Sequence, residues 1–133
     1  MFHMKQFTSK TQKTGEYGEL ICRKYLLKNG YEIVEANFST RSGEIDIIAQ
    51  KNNKIHFIEV KSVSCENTED MTTKNTYNPA ENFNNKKLEK IRKVSQSWLG
   101  INKTKHETQI DLYLVYIDKR NIRHKIEVLD NLF

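Results

Sequence analysis

Two short alternating runs, residues 43–50 and 56–61, restrict this chain more than any other feature of its sequence. Each run alternates apolar with charged or polar side chains, which is the period-2 pattern of a half-buried β-strand. The residues between the runs are polar, and Asn52 and Asn53 tolerate the positive φ angles that a two-residue hairpin turn requires. The sequence therefore predicts an antiparallel hairpin centred on these two asparagines.

This hairpin places carboxylates close together. With a two-residue loop, Asp46 lies opposite Glu59 and Glu44 lies opposite Lys61, and all four side chains share one face. Directly opposed residues have Cβ atoms roughly 4.5–5.5 Å apart, and like charges there are destabilising. Two carboxylates at that distance favour a proton or a cation between them. The hairpin is therefore a candidate site for a hard ion such as Mg²⁺, with a solvated charged face as the structural alternative.

Length and composition limit the class of protein. A chain of 133 residues that is 37% hydrophobic and 10% aromatic suits one globular domain, and residues 1–133 are interpreted as such. No apolar run approaches the ~20 residues of a membrane helix, and the N-terminus carries no apolar signal segment. The two cysteines, Cys22 and Cys65, form neither a disulfide framework nor a metal motif. These features predict a cytoplasmic protein without a membrane partner.

The charges are unevenly distributed along the chain, whose net charge is +5. Residues 1–14 carry lysines and no acid, and residues 84–105 carry seven lysines or arginines against one glutamate, whereas the acids gather in residues 16–70. An acidic site flanked by basic elements suits a metal-dependent enzyme that acts on a polyanion. A solvated basic helix face would give the same pattern, so charge alone only modestly favours nucleic acid.

The order of predicted elements is α-β-β-β-α-β-β. After a flexible basic arm (residues 1–10), a helix begins near residues 11–14 and ends at Lys28; Gly18 inside it suggests a close approach to other backbone. Further elements are a strand at 31–38, the hairpin, a long surface loop at 62–78, a helix-start turn at 78–81, a helix at 86–99 that ends at Gly100, and strands at 109–118 and 125–129.

Other catalytic patterns are weak. The four histidines are scattered without metal-ligand spacing, and His56 alternates with the apolar side of its strand, which indicates a buried or edge histidine. Gly15-Glu16-Tyr17-Gly18 has the wrong spacing for a phosphate-binding loop, and neither cysteine has an identifiable base. The carboxylate hairpin is the remaining candidate.

The chain resembles a known family through a set of short motifs. Asp46 followed by Glu59-Val60-Lys61 is similar to the D…(D/E)xK signature of the PD-(D/E)xK nuclease superfamily. A more specific likeness, to the YraN family of small bacterial proteins similar to archaeal Holliday-junction resolvases, rests on motifs across residues 14–129. These are Gly15-Glu16-Tyr17-Gly18-Glu19, Tyr25-Leu26, Gly30-Tyr31, Gly43-Glu44-Ile45-Asp46-Ile47-Ile48, Phe57-Ile58-Glu59-Val60-Lys61, and a second helix with Lys87, Lys90 and Trp98-Leu99.

The resemblance implies an α/β fold, a restriction-endonuclease-like αβββαβ core with a mixed central sheet flanked by helices. Carried over residue by residue, it implies Asp46 and Glu59 as metal ligands and Lys61 as the catalytic lysine, with Mg²⁺ or Mn²⁺ as cofactor. Glu19, which by the residues alone suits a helix-dipole acid, matches the first-helix glutamate that the resolvase-like branch brings to the site. The resemblance therefore implies Glu19 as a further catalytic residue and metal ligand, which would hold a metal-bound water or a second ion. The chain departs from the superfamily in its longer segment 62–78 and in Ile45, which precedes the aspartate where a proline is usual.

The implied activity is metal-dependent phosphodiester hydrolysis by an endonuclease on DNA, including branched or junction DNA. Because resolvase-like enzymes act symmetrically on two strands, the resemblance also allows a homodimer. A non-cleaving nucleic-acid-binding module that acts with a recombination or repair partner, and an interaction protein with an acidic surface, are the alternatives. The choice between DNA and RNA stays open. The residues expected to contact nucleic acid are Arg41, Lys86, Lys87, Lys90 and Lys93.

Overall fold

The computed structural model describes residues 10–65 and 84–132 and has the predicted element order. It contains two helices and one five-stranded mixed sheet, which confirms the predicted α/β fold class with its αβββαβ core. The elements are α1 (Lys10–Lys28), β1 (Glu32–Thr40), β2 (Gly43–Lys51), β3 (Lys54–Cys65), α2 (Asn85–Asn102), β4 (Glu107–Asp118) and β5 (Arg123–Leu129).

The strands lie in sequence order, β1-β2-β3-β4-β5. β3 and β4 are parallel, whereas the other neighbouring pairs are antiparallel. A parallel pair needs a crossover, which α2 supplies. The central hairpin has the predicted register, from Lys51 opposite Lys54 to Ile47 opposite Ile58. Asn52 and Asn53 form its turn with φ angles of 51° and 62°, as a two-residue loop of this kind requires.

The helices cover opposite faces of the sheet, because successive strand residues point to opposite sides. The buried side chains around α1 are Ile21, Cys22, Leu26, Ile47, Ala49, Ile58, Tyr113, Val115 and Ile117. The buried side chains around α2 are Ile45, Ile48, Ile55, Phe57, Ile91, Val94, Trp98 and Ile110. Of the described helices, none is long and apolar enough to cross a membrane.

The third strand is longer than its sequence pattern predicts. β3 continues to Cys65 because residues 62–65 pair in parallel with Val115–Asp118 of β4, although the alternation of apolar and charged residues stops at Lys61. The predicted surface loop at 62–78 is therefore wrong for its first four residues. Its remainder, the predicted turn at 78–81 and the basic arm at residues 1–9 lie outside the described residues.

The second helix also has different ends from those predicted. Asn84 caps its start, where the side-chain oxygen accepts a 3.1 Å hydrogen bond from the Lys87 N–H. The predicted end at Gly100 is wrong, because the helix passes through this glycine to Asn102. Lys103 then takes a left-handed conformation (φ 48°) and its N–H donates to the Leu99 carbonyl. A non-glycine residue thus makes the C-terminal cap for which glycine is the usual signal.

A buried hydrogen-bonded pair, His56 and Asp111, lies at the end of the sheet away from the carboxyl groups of the hairpin. His56 Nδ1 lies 2.7 Å from Asp111 Oδ2, and the two side chains are 10% and 1% exposed. The other Asp111 oxygen accepts hydrogen bonds from the Gln109 side chain (2.7 Å) and the Asn131 N–H (2.9 Å). Burial alone would raise the pKa of Asp111, but these donors outweigh burial and hold it below its ordinary value. His56 is thus a structural residue, as its position in the strand predicts.

Asp111→Asn is expected to destabilise the fold by about 2 kcal/mol, the usual size for hydrogen bonds to a charged group. A lowered carboxyl pKa gives stability that is present above the ordinary value of 3.8 and is lost as pH falls through the folded-state pKa. The difference in unfolding free energy between wild type and variant should therefore narrow in acid. Urea denaturation at neutral and acidic pH measures it, with the exposed Asp130→Asn as control. If the difference in unfolding free energy between wild type and Asp111→Asn is the same at both pH values, this account is contradicted.

Candidate active site

The site lies at a fork in the sheet where β2 separates from β3. The pairing between these strands ends at Ile47 and Ile58, one residue before Asp46 and Glu59 would face each other. Beyond that point the Val60 N–H donates a 2.8 Å hydrogen bond to the Asp46 side chain, to Oδ2. The carboxylate takes the place of a backbone acceptor, so the fork has no unsatisfied donor at Val60. Asp46 is therefore held by the main chain of the neighbouring strand.

A reversal of strand faces accompanies the fork. Ile45 and Ile47 are two residues apart and would share a face in a regular strand. However, Ile47 packs in the α1 cluster and Ile45 packs in the α2 cluster. On the neighbouring strand, Asn37 lies between the partners of these two isoleucines and has a φ of 55°. Asp46 thus occupies the one position at which β2 changes faces, next to a residue with left-handed backbone.

Three carboxyl groups meet at this fork. The side chains of Glu19 from α1 and Glu59 from β3 both hydrogen-bond to the Asp46 carboxylate, which is the acceptor in each pair. The predicted proximity of Asp46 and Glu59 is thus present as a side-chain contact instead of a continued strand pairing. Glu19 is 25% exposed and lies in the middle of α1, well beyond the first turn, so the helix-dipole interpretation is wrong.

Burial and mutual repulsion raise the pKa values of all three groups. Burial raises the pKa of Glu19 from 4.5 to about 7, and the Asp46 charge adds to the shift. Burial raises the pKa of Glu59 from 4.5 to about 9, again with the Asp46 charge as the next cause. Burial also raises the pKa of Asp46, although the Val60 N–H and the two glutamic acids stabilise its ionised form. The fork therefore gathers more negative charge than it can hold without a proton or a cation.

A glycine brings Glu19 to the fork. Gly18 packs against Ser62 of β3 so closely that a Cβ atom at position 18 would lie 1.7 Å from the Ser62 Oγ and 2.9 Å from its Cβ. The predicted close approach at Gly18 is thus present, against a side chain of the strand that also carries Glu59 and Lys61. A larger residue at position 18 would push α1, and with it Glu19, away from β3.

Cationic side chains surround the carboxyl groups. Arg23 lies 4.0 Å from Glu19, one helical turn along α1. Lys61 is exposed and stands two residues beyond Glu59, on the same face of β3. The hairpin register predicts Lys61 opposite Glu44, but β2 and β3 have separated before they reach these two residues. The Glu44 charge instead acts on Glu19 and Asp46, where it raises both pKa values.

The basic second helix begins beside the site. The positive charge of Lys87 lowers the pKa of Glu59, which places this lysine near the fork. Lys87 is one turn before the buried Ile91, so it points toward the sheet at the helix end. Lys86, Lys90 and Lys93 are exposed on the same helix. The β1–β2 turn, which carries Arg41, lies close to α2, because a Cβ at the adjoining Gly43 would lie 3.7 Å from the Val94 side chain of that helix.

The donor set suits a hard divalent cation. Asp46 and Glu59 supply carboxylate oxygens, which Mg²⁺ and Mn²⁺ prefer, and Mg²⁺ needs only one or two such ligands because it keeps several waters. Within the described ranges, no group of three His, Cys, Asp or Glu side chains is arranged to hold a metal ion by itself. Asp46 and Glu59 therefore fit a metal as a pair, and direct ligation by Glu19 stays a prediction.

A separate cavity of about 330 Å³ lies between α2 and the beginning of β4. It contains none of the carboxyl groups of the fork. Its lining residues are Phe57, Arg92, Ser95, Gln96, Leu99, Thr108, Gln109 and Ile110. The candidate active site is therefore distinct from this cavity.

Two neighbours of the carboxyl groups were not predicted as part of the site. Arg23 has a sequence signal, since it stands four residues after Glu19, the spacing of a helical ion pair. Ser62 has none, because its contact with Gly18 joins two segments that are far apart in the sequence.

Comparison with known proteins identifies the family. The family model described as "Uncharacterised protein family UPF0102" matches residues 18–125, most of the chain. The chain belongs to the UPF0102 family. The matched region contains all four predicted catalytic residues, Glu19, Asp46, Glu59 and Lys61.

Relatives in this family are similar over nearly their whole length. A UPF0102 protein of Campylobacter lari is 37% identical over 118 residues, which cover 89% of this chain and 91% of the relative. One from Campylobacter hominis is 38% identical over 92% of this chain and 96% of its own length. One from Caldicellulosiruptor bescii is 32% identical over 92% of this chain and 98% of its own length. The sequence similarity thus spans both helices and the strands that form the fork.

Gly18→Ala is expected to destabilise this UPF0102 protein, whereas Gly15→Ala should stabilise it. A Cβ at position 15 meets nothing within 4 Å, so alanine there gains the helix propensity of about 1 kcal/mol. At position 18 the same gain is opposed by overpacking against Ser62, which costs about 1–3 kcal/mol. Urea denaturation of both variants measures the difference. Ser62→Gly should reduce the effect of Gly18→Ala in a double-mutant cycle; additive effects would exclude this contact as the cause.

The unfolding free energy of the metal-free protein is expected to fall as pH rises from 4.5 toward about 9. In the folded state Glu19 keeps its proton up to about pH 7 and Glu59 keeps its proton up to about pH 9, whereas the unfolded state has already released both, so higher pH favours unfolding. Glu59→Gln should flatten this dependence and make the chain more stable than wild type in mild alkali. Denaturation in EDTA across this pH range tests it, with the exposed Glu35→Gln as control. Equal pH slopes for wild type and Glu59→Gln would contradict it.

Proposed function

We propose that this UPF0102 protein is a Mg²⁺-dependent endonuclease of the PD-(D/E)xK type that acts on DNA, including branched or junction DNA. The observation that carries the proposal is the convergence of Glu19 and Glu59 on Asp46 at the fork, with Lys61 two residues beyond Glu59. Buried carboxyl groups that repel one another are costly unless they bind something. A structural surface has no need of this arrangement.

Asp46 and Glu59 would hold the cation, because they are the pair that fits it. When bound, the ion places positive charge beside the scissile phosphate and makes water easier to deprotonate. Lys61 would orient the attacking water or offset the charge that develops on the phosphate during in-line attack. Glu19 would accept a hydrogen bond from water at the fork, while Arg23 at 4.0 Å keeps part of its charge compensated.

Positive residues beside the fork would hold the substrate. Lys86, Lys87, Lys90 and Lys93 of α2 and Arg41 of the β1–β2 turn are exposed, and Lys87 is near Glu59. Ammonium and guanidinium groups bind backbone phosphates without regard to sequence, and such binding weakens steeply with salt. A substrate chosen by backbone geometry is consistent with this surface. A homodimer would present two such sites to two strands.

A non-cleaving DNA-binding module that acts with a recombination or repair partner is the second candidate. It is favoured by one observation, that burial beside Asp46 raises the pKa of Glu59 to about 9, so this carboxyl group is able to keep a proton where a cation would otherwise sit. In this alternative the basic surface binds DNA and the protons shared at the fork are never replaced by a cation. The two candidates predict the same binding and different responses to Mg²⁺.

Cleavage of labelled linear, flapped and four-way DNA with Mg²⁺ or Mn²⁺ tests the proposal. Asp46→Asn, Glu59→Gln and Lys61→Ala should each abolish the products, whereas Lys54→Ala, at the other end of β3, should cleave as wild type. Mg²⁺ should stabilise wild type against heat, by about 2.7 kcal/mol at a concentration one hundred times its Kd. The same Mg²⁺ addition should leave Glu59→Gln unchanged.

The outcomes separate the candidates. Tight DNA binding without cleavage of any substrate, and without Mg²⁺ stabilisation, would favour the binding module.

Lys87→Ala combined with Lys90→Ala should weaken DNA binding and lower the slope of log K against log salt by about 2, close to one unit for each lost phosphate contact. Lys24→Ala with Lys28→Ala, exposed at the far end of α1, is the matched control. An unchanged slope in the Lys87/Lys90 variant would remove α2 from the interface.

A further inference from the structure

The β4–β5 hairpin carries a dense group of positive charges that the proposed function does not use. Residues 119–125 are all exposed, and this stretch contains four lysines or arginines, one histidine and no acid. The basic residues are Lys119, Arg120, Arg123 and Lys125. A polyanion is therefore the partner whose charge suits this hairpin.

The hairpin turn is held by specific contacts at its base. The buried Asp118 carboxylate accepts hydrogen bonds from the Asn121 N–H (3.2 Å) and the Asn121 side-chain amide (2.8 Å). Lys119 Nζ donates a 2.6 Å hydrogen bond to the Thr14 hydroxyl, which fixes the turn to α1. The turn is thus organised before any ligand arrives, which lowers the entropic cost of binding.

The isoleucine at the tip contributes little to the stability of the free protein. Ile122 is 84% exposed, so its side chain gains little from burial on folding. Its φ is 52°, a left-handed conformation that β-branched residues rarely adopt and that asparagine or glycine would adopt more easily. A side chain that gains almost no burial in the free protein and also strains its backbone is a candidate for contact with a partner.

The hairpin lies at the same end of the sheet as the fork. β3 and β4 are parallel, with Glu59 beside Leu112, and the turn follows at the end of β4. The β1–β2 turn with Arg41 lies at this end too. The fork between β2 and β3 therefore has one of these turns toward each edge of the sheet. Lys119 is anchored at Thr14, five residues or roughly 7.5 Å of helix from Glu19. A DNA duplex, with about 34 Å per turn, is long enough to cover both the β4–β5 turn and the fork.

Duplex DNA suits this tip better than a protein surface does. One exposed aliphatic side chain among four cations provides far less apolar area than a stable protein–protein interface, which buries about 1,600 Å². Proteins that bend or open DNA commonly combine phosphate-binding cations with an apolar wedge between base steps. Insertion of an apolar side chain between two base pairs costs least where the bases are already unstacked.

We propose that the β4–β5 hairpin is a second DNA-contacting element, in which the basic side chains hold phosphates and Ile122 inserts beside an unpaired or mismatched base step. This inference rests on the proposed action on DNA and adds a preference for distorted duplex. It assigns the recognition of distortion to the tip of the hairpin and leaves hydrolysis to the fork.

Binding of the full chain to two labelled 30-base-pair duplexes in Ca²⁺ tests this inference, one fully paired and one with two central mismatches. Ile122→Asn should bind the mismatched duplex about tenfold more weakly, the order expected for one aliphatic contact, and the paired duplex nearly as wild type. It should also reduce the fluorescence gain of 2-aminopurine next to the mismatch. Because asparagine relieves the left-handed strain, the thermal midpoint of this variant should not fall.

A second variant and a matched control complete the test. Arg120→Ala with Lys125→Ala should weaken binding to both duplexes and lower the salt slope by about 2. Ile101→Asn is the control, since Ile101 is 71% exposed near the end of α2, away from the fork, and should bind both duplexes as wild type.

Each outcome has one meaning. If both hairpin variants bind and unstack the mismatched duplex as wild type does, the inference is overturned while the proposed function stands. An effect of Ile122→Asn that is confined to single-stranded DNA or to anionic vesicles would also overturn it. If wild type binds no duplex at all, the inference and the proposed function fail together. Binding without cleavage, with the hairpin variants impaired, supports the inference and removes only the catalytic proposal.

Discussion

The hydrogen bond from the Val60 N–H to Asp46 is the interaction on which the candidate site depends. Where two strands part, each loses backbone partners, and a buried donor without an acceptor is costly. Here a side-chain carboxylate supplies the missing acceptor. Because the same group is also the acceptor for Glu19 and Glu59, the end of the strand ladder and the centre of the acidic site are one feature. The sheet positions Asp46 through its main chain, which holds a functional group more firmly than a loop would.

The fork explains how helices on opposite faces of a sheet contribute to one site. In a continuous sheet, side chains on the two faces are separated by the backbone layer. The opening between β2 and β3 removes that separation, so Asp46 meets Glu19 of α1 while Glu59 is affected by Lys87 of α2. Each helix is fixed by its own apolar cluster. The stability that these clusters provide offsets the repulsion of the gathered carboxyl groups, as is common where function opposes stability.

Local patterns made much of this fold predictable. The alternation in the hairpin and its two asparagines are signals within a few residues of each other, and they gave the register from Ile47–Ile58 to the turn. The end of that register left no signal, since Ile45 and Ile47 are the same residue type and look identical in the pattern, yet they pack on opposite faces. Likewise, the extension of β3 to Cys65 depends on β4, more than fifty residues later. Glu19 was assigned to the site through a family resemblance, because its approach depends on Gly18 and the distant Ser62.

The opposite charges of the fork and its surroundings have a consequence for binding. At physiological ionic strength charges interact over a Debye length of about 8 Å, so Lys87 and Arg23 act on the carboxyl groups while the more distant lysines act mainly on an approaching polyanion. Without a cation, the negative charge that the fork retains beside its protonated groups repels phosphates and opposes the attraction of the basic elements. A bound divalent ion removes that repulsion, and a bound phosphate in turn favours the ion. Linkage requires the two effects on affinity to be equal, so Mg²⁺ and DNA should each strengthen the binding of the other by the same factor, whether or not the bond is cleaved.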